Sequence, residues 1–141
     1  MPAKKQNPFK LRNFIGVNPD HIARLDVLGI KTTGQMLSAG QTTRSRANLA
    51  RRAGIPLEVV LELVKLSDLA RLPGVKGIRA RLYFEAGVDS VEKLAAYEPE
   101  ALLTLTGEFV QRTGFAGIAP LPKEVSSTID NALRMPKLVE W

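Results

Sequence analysis

Apolar positions recur at helical spacing along most of the chain, and no stretch shows the sustained alternation of a half-buried strand. Helices are expected to begin at capping residues or prolines and to end at glycines. The predicted starts lie near Asn18, Thr32, Thr42 or Thr43, Pro56, Ser90, Pro99 and Lys123. The predicted ends lie at Gly29, Gly54, Gly87 and Gly114. The pattern therefore predicts an all-α fold.

The sequence predicts the burial of one of these helices and an irregularity in another. The helix after Pro56, LEVVLELVKL, is apolar except for a narrow polar stripe, which predicts a central and mostly buried helix. Gly107 predicts a break or bend in the helix that begins at Pro99. Elsewhere, Gln35 follows Thr32, and Glu92 follows Asp89, at the spacing of a capping box.

The chain contains an internal repeat. Residues 11–37 align without gaps on residues 69–95, and the same skeleton recurs in both copies. It consists of an apolar residue, Gly-Val, an apolar helix, and then Gly followed by a β-branched residue. The glycines Gly16 and Gly29 fall on Gly74 and Gly87. Two glycine pairs at one internal spacing predict two copies of the same turn between helices.

These residues resemble the helix-hairpin-helix motif. The segment from Phe14 to Pro19, with Ile22 facing it, is similar to an apolar-Gly-apolar-Gly hairpin, and so is the segment from Leu72 to Gly77, with Ala80 facing it. The order of the remaining segments is similar to a group of uncharacterised prokaryotic proteins with tandem helix-hairpin-helix units, classed only as a domain of unknown function. The resemblance implies a compact helical domain with two such SAM-like units.

The expected organisation follows from the repeat and from the charges near the N-terminus. Residues 1–10 are expected to form a basic N-terminal arm, and residues 11–141 a single helical domain. Hairpin unit 1 is placed at 11–40 and hairpin unit 2 at 69–98.

The resemblance implies sequence-independent contact with nucleic-acid phosphates, because a tight hairpin turns backbone N–H groups outward at a helix start. The implied binding residues are Gly16, Val17 and Asn18 in unit 1, and Gly74, Val75, Lys76 and Gly77 in unit 2, with Arg79 and Arg81 nearby. Both units depart from the motif at its second glycine, where Asn18 and Lys76 stand. Unit 2 is the better candidate, because Asp20 lies beside the first turn.

Charge is distributed unevenly along the chain. Residues 1–76 hold 13 Lys/Arg and 5 Asp/Glu, whereas residues 77–141 hold 7 and 9. A second basic group comprises Arg44, Arg46, Arg51 and Arg52. Helical spacing predicts Arg44 and Arg51, with Arg52 beside them, on one face of a helix. Such a surplus favours a polyanion, duplex DNA before RNA, although a solvated helix face is an equally good interpretation of the arginines.

Several classes of protein are disfavoured by composition. The chain has no cysteine and one histidine, so we expect no metal, no cofactor and no catalytic residues. The apolar stretches are too short for a membrane span, and a cytoplasmic protein is expected. The alternative to nucleic-acid binding is a protein-interaction module or homodimer that would use the loop FAGIAPLP with Leu138, Val139 and Trp141.

Overall fold

A computed structural model describes residues 9–115 and 117–141. The described residues form helices and connecting segments, with no strand, so the all-α prediction is confirmed. A 3₁₀ helix at Leu11–Asn13 comes first. The α-helices are α1 (Pro19–Val27), α2 (Thr33–Ala39), α3 (Thr43–Ala53), α4 (Leu57–Ala70), α5 (Gly77–Glu85), α6 (Val91–Ala95), α7 (Pro99–Thr113) and α8 (Pro122–Arg134). Residues 1–8 of the predicted basic arm lie outside the described residues.

Helix α4 lies at the centre of the fold, as its sequence predicts. It packs against α2, α3 and α5, and α8 packs against α6 and α7. The side chains of Val60, Val64, Leu66 and Leu69 are fully buried. One contiguous core extends from the segment before α1 to Val139. Within the described residues, none of the helices is long and apolar enough to cross a membrane.

Local capping signals account for many of the helix boundaries. Asn18 Oδ1 accepts a hydrogen bond from Asp20 N, and Thr32 forms a capping box with Gln35. Thr42, the first of the two candidates, caps α3. Gly54 ends α3 in the left-handed conformation, at φ 68°. These boundaries confirm the sequence predictions, because each depends on residues only a few positions apart.

Two local predictions are wrong. Helix α6 is capped by Ser90, whose side chain accepts from Lys93 N, and not by the Asp89–Glu92 pair. Asp89 instead faces Lys65 and Lys93; burial alone would raise its pKa, but the hydrogen bonds from these two lysines lower it. Helix α7 is not broken at Gly107, so the predicted break is absent: one glycine destabilises a 15-residue helix less than the packing of that helix stabilises it.

The repeat seen in the sequence is also a repeat in backbone geometry. Gly16 and Gly74 have φ values of 80° and 81°. At the end of the next helix, Ile30 N donates to Leu25 O in the first copy, and Val88 N donates to Tyr83 O in the second. Both pairs of residues are related by the shift that aligns the sequences, so the two copies close their helices in the same way.

The two copies differ in the helix that precedes the turn. In the first copy it is only the 3₁₀ turn at Leu11–Asn13, whereas in the second it is the long central helix α4. The first copy therefore depends on neighbouring elements for its support.

The segment after α8 crosses back to the first half of the chain. Arg71 Nη2 donates to Pro136 O, and Glu140 N donates to Gln41 O in the α2–α3 connection. Val139 is buried, and the ring of Trp141 lies 5.5 Å from Arg46 Cζ. We call residues 135–141 the C-terminal tail.

Two alanine substitutions separate backbone strain from helix propensity. Neither Gly74 nor Gly107 has a neighbour within 4 Å of the position that a Cβ would occupy. Gly74→Ala is expected to lower the free energy of unfolding by about 1–2 kcal/mol, because its φ is left-handed. Gly107→Ala is expected to raise it by about 0.5–1 kcal/mol, because α7 is continuous there. Urea unfolding of both variants checks the signs, and a stabilising Gly74→Ala would contradict the turn geometry.

Candidate functional site

The first turn presents Gly16 and Asn18 to solvent, with Val17 partly buried. Asn18 has an extended backbone, at φ −82° and ψ 121°, and begins α1. A shallow cleft of about 160 Å³ lies beside the turn and is lined by Gly16, Val17, Asn18, His21, Ile22, Val59, Glu62 and Leu63. The carboxylates of Glu62 and the nearby Asp20 make this turn a poor place for a phosphate group.

The second turn offers fewer free backbone donors than its sequence indicates. Val75 is buried, and its N–H already donates to Leu72 O. Gly77 is also buried: a Cβ there would lie 2.9 Å from the Phe9 ring and 3.2 Å from Asn13 O. Gly74 is exposed with open space beside it, and the Lys76 side chain is exposed. The accessible part of this turn is therefore Gly74 and Lys76.

The missing second glycine causes no backbone strain in either turn. Lys76 has φ −122° and ψ −161°, which is extended backbone that any residue adopts. Among the described residues, only glycines have positive φ. Asn18 and Lys76 are thus compatible with the turn, and their effect on a ligand would come only from the added side chain.

Arg79 is held inside the protein by two acceptors. Its guanidinium forms two hydrogen bonds with the carboxylate of Glu124 at the start of α8. It also donates to the carbonyl oxygen of Ile118 in the α7–α8 loop. Its positive charge is largely neutralised there, and the side chain connects α5 to α8.

Arg81 is almost completely buried and joins the two repeat copies. Its Nε donates to Ile15 O at 2.7 Å, and its Nη1 lies 3.4 Å from Glu62 Oε1. The guanidinium lies against the backbone of Gly16, where a Cβ would be 3.4 Å from Cζ. Arg81 therefore supports the first turn from behind rather than facing solvent.

Arg46 is buried as well, although its helix carries three exposed arginines. Its Nη1 donates to Gly40 O, and its Nη2 donates to Thr43 Oγ1. Burial lowers the pKa of Arg46. The guanidinium lies over the Trp141 ring, so Arg46 fixes the α2–α3 corner and the C-terminal tail.

The exposed basic surface is formed by α3. Arg44, Arg51 and Arg52 are exposed, and α3 contains no acidic residue. None of the three has a carboxylate oxygen within 4.0 Å among the described residues. We call these three residues the α3 arginine face. The structure thus leaves three of the four arginines of α3 exposed, whereas the arginines of α5 are paired internally.

Sequence reasoning missed one neighbour of this face, Arg24 of α1. A Cβ placed on Gly54 would lie 3.1 Å from Arg24 Nη1, so the guanidinium lies at the C-terminal end of α3. Arg24 is four residues after Asp20, and this spacing favours an ion pair within α1. The sequence therefore gives no sign that the side chain of Arg24 lies at the end of α3. Within the described ranges, no group of three or more metal-ligating side chains occurs.

The described residues define an all-helical protein with two similar glycine turns and an exposed basic surface in the first half of the chain. The chain belongs to the family described as a domain of unknown function, DUF4332, whose model matches residues 15–135. No curated protein matches the chain, and no solved structure matches it. The family assignment confirms the likeness to an uncharacterised family but brings no activity with it.

Proposed function

We propose that the protein binds nucleic acid without sequence preference, duplex DNA before RNA, and catalyses no reaction. On this proposal the two repeat copies are helix-hairpin-helix units in a cytoplasmic protein. The left-handed glycines at equivalent positions and the equivalent helix-ending hydrogen bonds support that interpretation. The observation that carries the binding proposal is the α3 arginine face.

Three exposed guanidiniums that have no carboxylate partner in the described part of the chain suit a polyanion for electrostatic reasons. Crowded like charges repel one another, and a phosphate backbone both relieves that repulsion and releases its own counterions. Arginine also binds phosphate oxygens in a bidentate manner. Contacts of this kind position a protein on the backbone without reading base edges. The proposal therefore implies weak sequence preference and strong dependence on salt.

The hairpin turns have a smaller part in this proposal. Lys76 is the exposed cation of the second turn, and Gly74 allows a close approach there. The first turn is followed by Asp20, and the Arg81 guanidinium beside it is paired with Glu62, so it is the weaker candidate for a phosphate contact. Lys76→Glu tests the second turn by itself, whereas a charge reversal at Arg79 would also break its ion pair with Glu124.

The test is a titration of labelled duplex DNA and duplex RNA over salt concentrations from about 50 to 300 mM. Arg44→Gln combined with Arg51→Gln is expected to weaken binding about 10- to 30-fold at the lowest salt, because two phosphate contacts are lost, and to reduce the log–log salt slope by about 1.8.

The matched control removes two exposed cations from the other half of the chain. Arg112 of α7 and Lys123 of α8 are both exposed, so Arg112→Gln with Lys123→Gln changes the net charge by the same amount. Equal losses in the two double variants would show that only net charge matters. Wild-type protein that binds neither duplex at low salt would refute the proposed function.

A second candidate function, protein interaction, is favoured by one apolar surface. Ile118 and Leu121 in the α7–α8 loop are 81% and 67% exposed, and the neighbouring Ile78 is 47% exposed. Of the C-terminal residues expected on this surface, Leu138 and Trp141 are exposed, whereas Val139 is buried. Ile118→Ser with Leu121→Ser should leave nucleic-acid binding unchanged, and on this second reading would abolish association with a protein partner.

A further inference from the structure

We infer that Arg24 and Arg52 complete a phosphate-binding face with Arg44 and Arg51, in which the C-terminal end of α3 is the centre of contact with the nucleic-acid backbone. This inference rests on the proposed function and assigns the part of the surface that carries it.

In the described chain, the side chain of Arg24 does not pair within its own helix. Asp20 lies four residues earlier in α1, a spacing that favours an ion pair, yet the described residues contain no such pair. Asp20 lies in the first turn of its helix, where the positive end of the helix dipole stabilises it. Arg24 extends instead toward Gly54, at the end of a different helix.

The room for that guanidinium depends on Gly54. The residue has a left-handed φ of 68° and no side chain, and a Cβ there would come within 3.1 Å of Arg24 Nη1. Arg51 and Arg52 lie in the last turn of the same helix. Arg51 Nη2 donates to Asn48 Oδ1, so this guanidinium lies back along the helix. The last turn of α3 therefore carries two arginines, and the guanidinium of Arg24 from α1 lies at the end of that turn.

The positive charge at the C-terminal end of α3 is larger than the negative charge of the helix dipole there. The carbonyl end of a helix carries about half a negative charge, which one cation offsets. Three cations leave a surplus of about two charges that no described carboxylate neutralises. Arg44 adds another cation about 10 Å along the helix axis, since α-helical residues rise 1.5 Å each. A polymer with closely spaced phosphates fits this distribution better than a single phosphate ion does.

The salt dependence of binding tests the inference residue by residue. Four phosphate contacts predict a log–log slope of about −3.6 on duplex DNA, because each contact contributes about 0.9. Arg24→Gln and Arg52→Gln should each reduce the magnitude of the slope by about 0.9. Arg24→Lys should retain the slope, because it retains the charge. Inorganic phosphate at the same ionic strength should compete no better than chloride, whereas long-chain polyphosphate should compete.

A purely structural role for Arg24 would give a different result. If Arg24 only caps the end of α3, Arg24→Gln would lower the unfolding temperature and leave the slope unchanged, and that outcome would overturn the inference. Arg112→Gln is the matched control, and an equal slope change there would also overturn it. Absence of wild-type binding would refute the proposed function itself and is distinguishable from both.

Discussion

Replacing Asp68 with alanine is expected to lower the free energy of unfolding by about 3 kcal/mol, because the carboxylate is buried and partnered on both oxygens. Its Oδ2 accepts from Val91 N at the start of α6, and its Oδ1 lies 2.8 Å from Arg71 Nε. Truncation would leave a buried N–H and a largely buried guanidinium without their acceptor. Urea denaturation followed by circular dichroism measures the change.

An exposed ion pair provides the control for Asp68. Asp26 pairs with Lys31 at 3.3 Å, but both side chains are more than half exposed. Asp26→Ala should therefore change the free energy of unfolding by less than about 0.5 kcal/mol. Asp68→Asn keeps an oxygen acceptor for Val91 N and should fall between the two alanine variants. Similar losses for Asp26→Ala and Asp68→Ala would refute a special role for the buried carboxylate.

Loss of the Arg81 guanidinium is the second large effect. Arg81→Met keeps the aliphatic part of the side chain but removes the hydrogen bond to Ile15 O and the pair with Glu62, and should cost about 2–3 kcal/mol. Because Arg81 supports the first turn, the hydrogen-bonded amides on either side of it should exchange faster: Phe14 N, which donates to Leu11 O, and Ile22 N, which donates to Asn18 O. Hydrogen exchange with residue resolution and chemical denaturation measure both effects.

The control for Arg81 is an exposed arginine with a similar stem. Arg112 is exposed on α7, so Arg112→Met should change stability by less than about 0.5 kcal/mol. Two results would show that the contact of Arg81 with the first copy does not stabilise the fold. One is an equal change in the free energy of unfolding for Arg81→Met and Arg112→Met, and the other is unaltered hydrogen exchange at the first turn.

The parts of the fold that could be predicted are those decided by near neighbours in sequence. Thr32 with Gln35, and Gly54 after α3, set their boundaries through contacts that span three or four residues. The repeated turn could also be predicted, because the positive φ of Gly16 and Gly74 depends only on the few residues of each turn. Where two caps compete, as at Asp89 and Ser90, the outcome depended on Lys65, which is distant in sequence.

The candidate site was harder to predict because an arginine is available to a ligand only if no distant part of the chain already pairs with it. Arg79 and Glu124 are 45 residues apart, and Arg81 and Ile15 are 66 residues apart. No local pattern indicates that these partners exist, so the second turn looks more basic in sequence than it is in the folded chain. Among the described residues, Arg44 and Arg51 have no partner distant in sequence, and Arg51 donates only to Asn48 in the same helix. Helical spacing was therefore enough to predict that the two arginines are exposed on one helix face.

The crossing of the C-terminal tail has a consequence for modularity. Phe9 and Asn13 lie against Gly77 of the second copy, and the tail lies against Gln41 beside the first copy. The N-terminal end of the described chain therefore packs against the second half, and the C-terminal end packs against the first half. Repeat proteins that contact only their neighbours can be shortened one unit at a time. Here a cut between α3 and α4 would remove the contacts of Phe9 and Asn13 with Gly77 from one fragment and the contact of the C-terminal tail with Gln41 from the other. We therefore expect the two copies to fold together and not as two separate modules.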